Sequence, residues 1–173
     1  MLAKLGRLFK HRWSGDNAAV QALPPEVLKR LADRVGASEK LHSGEIRICV
    51  EAGLPWSYIR RNGSLQEIVH ARALTMFGKL GVWDTAHNNG VLIYLLLAER
   101  AIEIIADRGL NDKVNPEKWQ TLVDSMRAAF KCGEFESGLN QAVAEVTGLL
   151  LAHFPLAAGA DNLNELPDEP DLR

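Results

Sequence analysis

Two hydrophobic periods alternate along this chain. Leu65, Ile68, Val69, Ala73, Met76 and Leu80 recur every three to four residues, which predicts a helix with one buried side. Ser64 caps that helix, and Glu67 supplies the reciprocal acid of a capping box. Earlier, Ile46, Ile48 and Val50 alternate with Glu45, Arg47, Cys49 and Glu51, the period of a half-buried strand over Glu45–Ala52. Val91–Leu97 is apolar throughout, as in a strand covered on both faces. After a Glu99-Arg100 turn, Ala101–Ala106 returns as a third strand, and Asp107–Lys113 follows as a polar loop. Pro24-Pro25 opens a helix predicted to run to about His42, with Val27, Leu28, Leu31 and Val35 inward. Asn115 caps a further helix starting at Pro116, and Glu134–Phe154 forms the last.

The order of elements predicts an α/β fold. The first two strands, joined through a helix, are parallel with a right-handed crossover, and the second and third form a hairpin, giving a small mixed sheet. Three segments follow from the pattern: an amphipathic basic helix over residues 1–13, an α/β domain over 20–156 and an acidic tail, 157–173, read as disordered because of its charge and its Pro167 and Pro170.

Charge and composition narrow the function classes. The net charge of −2 argues against a nucleic-acid partner. The longest apolar run, Val91–Ala98, is far shorter than the ~20 residues that span a bilayer. Lys4, Arg7 and Lys10 interrupt what would otherwise resemble a signal sequence, so the expected location is cytoplasmic. Leu2, Leu5, Leu8 and Phe9 share one face of the first helix. With its bases, that face is a candidate contact with the inner face of the membrane, which would make the chain a peripheral adaptor. Cys49 and Cys132 form no CxxC motif; Cys49 is expected to pack as a small hydrophobe.

Several stretches, taken in order, resemble the TPM domain shared by thylakoid lumen phosphatase, photosystem II repair and acetylcholine-receptor modulator proteins. They are Ser43-Gly44-Glu45-Ile46-Arg47, Phe77-Gly78-Lys79-Leu80-Gly81-Val82, Asn88-Asn89-Gly90-Val91-Leu92-Ile93, Ile104-Ile105-Ala106-Asp107-Arg108-Gly109-Leu110, and Phe130 with Gly133–Leu139. The resemblance spans about Pro25–Phe154. It implies a three-layer α/β/α sandwich in a short, soluble, bacterial-type version. It also implies calcium binding or phosphatase activity in some members and no assigned reaction in many. Whether this chain is an enzyme stays open; if it is one, the resemblance implies a phosphatase.

The topology gathers the start of the first strand, the start of the second and the end of the third at one polar sheet edge. That edge carries Glu45, Asp84, His87, Asn88, Asn89, Asp107, Asn111 and Asp112. Asp84, Asn88, Asn89 and Asp107 are the candidate ligands of a divalent cation, Ca²⁺ above all, which takes about 6–8 oxygens. The same edge could instead bind a protein partner, or act as a metal-assisted acid phosphatase with Asp84 as nucleophile or ligand and Arg108 and Lys113 neutralising phosphate. Asp and Asn also favour loops for conformational reasons. Glu67-x-x-His70 has metal-binding spacing, but it occurs once, and a structural histidine is the simpler reading. Trp56 and Tyr58 beside Arg60-Arg61 could stack on a base or clamp a loop onto the sheet edge.

Overall fold

The computed structural model describes residues 17–157 and 162–173. The N-terminal helix, with its candidate membrane contacts Leu2, Leu5, Leu8 and Phe9, lies outside the described residues. The elements in chain order are α1 (Asn17–Ala22), α2 (Pro25–Glu39), β1 (Ile46–Glu51), α3 (Trp56–Ile59), α4 (Leu65–Lys79), β2 (Val91–Leu96), a 3₁₀ turn (Leu97–Glu99), β3 (Ala101–Ala106), α5 (Arg108–Asn111), α6 (Pro116–Cys132), α7 (Phe135–His153) and β4 (Asp171–Leu172).

The sheet has the order β3-β2-β1-β4. β1 runs parallel to β2, with Ile46 opposite Val91 and Glu51 opposite Leu96, while β2 and β3 are antiparallel. Strand alternation sends Ile46, Ile48, Val50, Val91, Ile93 and Leu95 to one face, where Leu31 and Val35 of α2, Met126 and Phe130 of α6 and Leu139, Val143 and Val146 of α7 cover them. Cys49, Leu92, Tyr94 and Leu96 point to the other face, under Ile68, Val69, Ala73 and Met76 of α4. Helices therefore lie on both sides of an open mixed sheet.

The helix starts follow from local chemistry. Ser64 accepts the Glu67 N–H while the Glu67 carboxylate accepts the Ser64 N–H, which completes the predicted capping box of α4. Asn115 accepts the Glu117 N–H ahead of Pro116 in α6. Gly90, at the entry to β2, is required by close approach: a Cβ there would stand 2.0 Å from the Val82 carbonyl oxygen.

Three expectations are corrected. All six residues of β1 are buried, because the sheet is covered on both faces and the polar members have partners: Arg47 lies under the C-terminal segment and Glu51 pairs with Arg72. The Asp107–Lys113 loop contains a short helix, α5, capped by Asp107. The tail expected to be disordered is, over residues 162–173, packed on the domain and supplies the fourth strand. Its charge misled because β1 offers it a free edge and Arg47 donates to its backbone carbonyls.

The two cysteines are free. Cys49 is fully buried, and desolvation pushes its thiol up to about 12; Cys132 is exposed. Native protein is expected to label one thiol promptly with a disulfide reagent, and the second only on unfolding. Prompt modification of two thiols would show that the face under α4 is open.

Candidate functional site

The polar edge forms as the topology predicts, but its residues divide differently. Asp84 is exposed. Asn88, at φ 51, uses its side-chain oxygen to accept two hydrogen bonds from the Arg108 guanidinium, at 3.2 and 3.0 Å. Asn89 is fully buried. Its amide donates to the Ser43 carbonyl at 3.1 Å, and its oxygen faces the Thr85 hydroxyl at 3.4 Å. Asp107 accepts the Arg108 N–H at 2.7 Å through one oxygen. Asn88 thus ties the loop that enters β2 to the one that leaves β3, and Asn89 ties it to the entry of β1. Among the described residues, no three His, Cys, Asp or Glu side chains stand together as a ready metal cage.

The basic groups of the same edge are also placed. Arg108 is committed to Asn88, and Lys113 lies 5.7 Å from the centre of the Phe154 ring. Glu67 is the capping acid of α4, and His70 faces Glu103 at 3.1 Å, so the Glu67-x-x-His70 pair splits between two jobs. Arg60 lies over Trp56 and Arg61 over Tyr58, 5.9 and 4.0 Å from the ring centres, and the Tyr58 hydroxyl meets Thr75 at 2.6 Å. This is the arrangement of a loop clamp.

A denser group of carboxyls lies one strand over, where α2 ends and β1 begins. Glu39, 5% exposed, accepts the Ile46 N–H at 2.8 Å through Oε1. Glu45 is fully buried and accepts the Leu166 N–H at 3.2 Å through Oε2. Asp168, brought in by the C-terminal segment, faces Glu39 and also accepts from Asn164 at 2.7 Å. Desolvation, augmented by the charges of Glu45 and Asp168, pushes the Glu39 carboxyl up to about 9. Burial raises Glu45 as well, with Glu165 and Asp168 adding to it. Among the described residues, the buried carboxylate oxygens without a hydrogen-bond partner are Glu39 Oε2, Glu45 Oε1 and Asp107 Oδ2, and all three lie along this edge. A buried oxygen without a donor is costly, so each marks a place where a further donor or a cation would be stabilising.

Beside them His42 is fully buried. Its Nδ1 lies 3.1 Å from the Gly44 carbonyl and its Nε2 3.2 Å from the Ser38 hydroxyl. Burial lowers its affinity for a proton, so the neutral ring donates to Gly44 and accepts from Ser38. A sign of this group is present in the sequence. Leu31, Val35, Ser38, Glu39 and His42 continue one helical stripe, so an acid and a histidine stand where apolar residues are expected. Asp168 carried no such sign, because only the packed tail brings it here.

The comparisons agree with this architecture. Residues 17–149 match the TPM domain family. The NMR structure of the BA42 protein from the psychrophilic bacterium Bizionia argentinensis is similar, with 30% sequence identity and a TM-score of 0.71, over 87% of this chain and 95% of that one. No curated protein matches the chain significantly. Among the described residues no helix is long and apolar enough to cross a membrane.

Proposed function

The chain belongs to the TPM domain family, and on that premise we propose that it is a binding module that takes a divalent cation at its polar sheet edge. The observation that carries this reading is the set of orphaned buried oxygens on Glu39, Glu45 and Asp107. The expected ligands move accordingly. Asn88 and Asn89 serve the loops, and the cation is held at the Glu39–Glu45 end of the edge. Hard cations such as Ca²⁺ or Mg²⁺ prefer oxygen and accept one or two carboxylates when water and backbone carbonyls complete the shell. Among the described residues, Arg108 of this edge is committed to Asn88 and Lys113 lies against the Phe154 ring, so cation binding is favoured over phosphatase chemistry there.

A cation at this position has to displace the proton that Glu39 retains. Affinity for Ca²⁺ should therefore rise about tenfold per pH unit between pH 7 and 8, the dependence expected for one released proton. The measurement is a Ca²⁺ titration of the ¹⁵N-labelled chain, repeated with Mg²⁺. Amides of Glu45, Ile46 and Leu166 should shift, and Glu45→Gln should abolish the response. Unchanged spectra with either ion at ~10 mM, weaker than even extracellular calcium modules, would remove the cation from the reading.

A further inference from the structure

The C-terminal segment is held in an unusual way: the domain grips mainly its backbone. Arg47, only 9% exposed, donates from one guanidinium nitrogen to the carbonyls of both Pro167, at 2.6 Å, and Glu169. Glu45 accepts the Leu166 N–H at 3.2 Å. The Ala52 N–H donates to the Arg173 carbonyl at 2.7 Å, and the Arg173 N–H donates back to the Val50 carbonyl at 2.9 Å. Strand pairing between these contacts is short, Cys49 with Asp171 and Val50 with Leu172. Side chains contribute at fewer points. Asp168 fits over Gly36, where a Cβ would come within 2.4 Å of its Oδ2, and Asn162 donates to the Glu39 and His42 carbonyls. Leu166 and Leu172 each pack half-buried against one of the two cores.

We propose that this groove along the open edge of β1 is a recognition site for an extended, acidic, proline-containing peptide of a partner protein, with residues 162–173 as its resident and exchangeable occupant. Arg47 and Glu45 are buried, charged side chains, and among the described residues Arg47 donates to this segment and Glu45 accepts from it. Addition of an extended segment to a sheet edge draws affinity from the main chain and selectivity from a few side-chain positions. Here the selectivity lies in one carboxylate, the place of Asp168, which seats over Gly36 and accepts a hydrogen bond from the protonated Glu39 carboxyl, set between the two carbonyls that Arg47 holds. Pro167 and Pro170 offer no N–H, and the grip on this stretch comes through the Pro167 and Glu169 carbonyls that Arg47 holds. Much of the resident faces solvent: Glu165, Pro167, Glu169 and Arg173 are exposed, and a cleft of about 670 Å³ bounded by Gly36, Lys40, Asn164 and Glu169 runs beside it. The groove shares Glu39 and Glu45 with the cation reading, but none of these contacts needs a metal, so the two are tested separately by working with and without Ca²⁺.

The test uses the full ¹⁵N-labelled chain and an unlabelled synthetic peptide of residues 162–173, in metal-free buffer. A tethered segment competes at an effective concentration in the millimolar range, so the peptide is taken to ~5 mM. The expected result is that the chain's own Leu166 and Arg173 amides move to the shifts of the free peptide, while the Ala52 amide, still hydrogen-bonded, stays. The Asp168→Ala chain, whose resident is weakened but whose groove is intact, should be displaced at about fivefold lower peptide concentration, an effect near 1 kcal/mol. If neither chain releases its segment, and the Leu166 and Arg173 amides are as protected from exchange as those of β2, the segment is an integral strand and the proposal falls. A concentration-dependent dimer that forms by exchange of the segment without peptide would assign the groove to a second copy and overturn the foreign partner.

Discussion

Arg72→Met is expected to destabilise the protein by about 3–5 kcal/mol, the cost of leaving a buried carboxylate without its cation. Arg72 is 6% exposed on α4 and Glu51 is 3% exposed at the end of β1. The guanidinium Nε donates to Glu51 Oε2 at 2.9 Å, and a second nitrogen donates to Oε1. The Tyr94 hydroxyl from β2 donates to the same carboxylate at 2.5 Å, and Arg72 lies 5.2 Å from the centre of the Tyr58 ring. The pairing raises the arginine further above its ordinary value, and burial beside Glu51 raises the Tyr94 phenol. With methionine at 72, Glu51 keeps one donor, and the melting temperature should fall by roughly 10 °C, given about 2–4 °C per kcal/mol at this chain length. The triple variant Arg72→Met, Glu51→Leu, Tyr94→Phe should recover most of the loss, because apolar replacement of every partner of a buried polar group is close to neutral, whereas the double variant would leave the Tyr94 hydroxyl without its acceptor. A loss under ~1 kcal/mol in the single variant would show that the pair contributes no more than a surface bridge.

Glu39→Gln is expected to act in the opposite direction. The Glu39 carboxyl is pushed up to about 9 from an ordinary 4.5. A raised folded-state value means that the folded chain holds its proton while the unfolded chain has released it. The favourable contribution is fully present below pH 4.5 and is lost progressively as pH rises toward 9. Glutamine keeps an oxygen for the Ile46 N–H, presents an amide to Asp168 and removes the titration. The variant should be roughly 2–4 kcal/mol more stable than the parent at pH 8, and indistinguishable from it near pH 4. Urea unfolding at intervals from pH 5 to 9 measures this. The parent should weaken steadily with pH and the variant much less, with Glu45 responsible for the slope that remains. Parallel curves would mean that Glu39 ionises freely in the folded protein.

Glu39 interrupts the apolar stripe of α2 and so leaves a sign in the sequence, whereas Arg72 and Glu51 leave none that pattern reading can use. Arg72 lies between Val69 and Met76 on the buried side of α4, where a periodicity count records only an interruption. Glu51 reads as the solvent-side member of an alternating strand. The pair becomes visible only when α4 is laid across the far end of β1. The same holds at the polar edge. Asp84, Asn88, Asn89 and Asp107 are close in topology and have the right chemistry for a cation. Yet two of them spend their side-chain oxygens on Arg108 and Thr85, and the buried carboxyls of Glu39 and Glu45 stand a strand away.

What the chain determined by itself is local and periodic. The starts of α4 and α6, the strands β1, β2 and β3 and the parallel-then-antiparallel sheet follow from caps, hydrophobic period and loop length, which act over a few residues. What the tertiary structure alone decided is long-range. Residues 162–173 have a composition that favours disorder, and they are ordered because Arg47 and the edge of β1, some 120 residues away in sequence, satisfy their backbone. That pairing also buries Glu45 and sets Asp168 against Glu39. Burial and the meeting of like charges depend on which surfaces touch, and no window of sequence contains both surfaces.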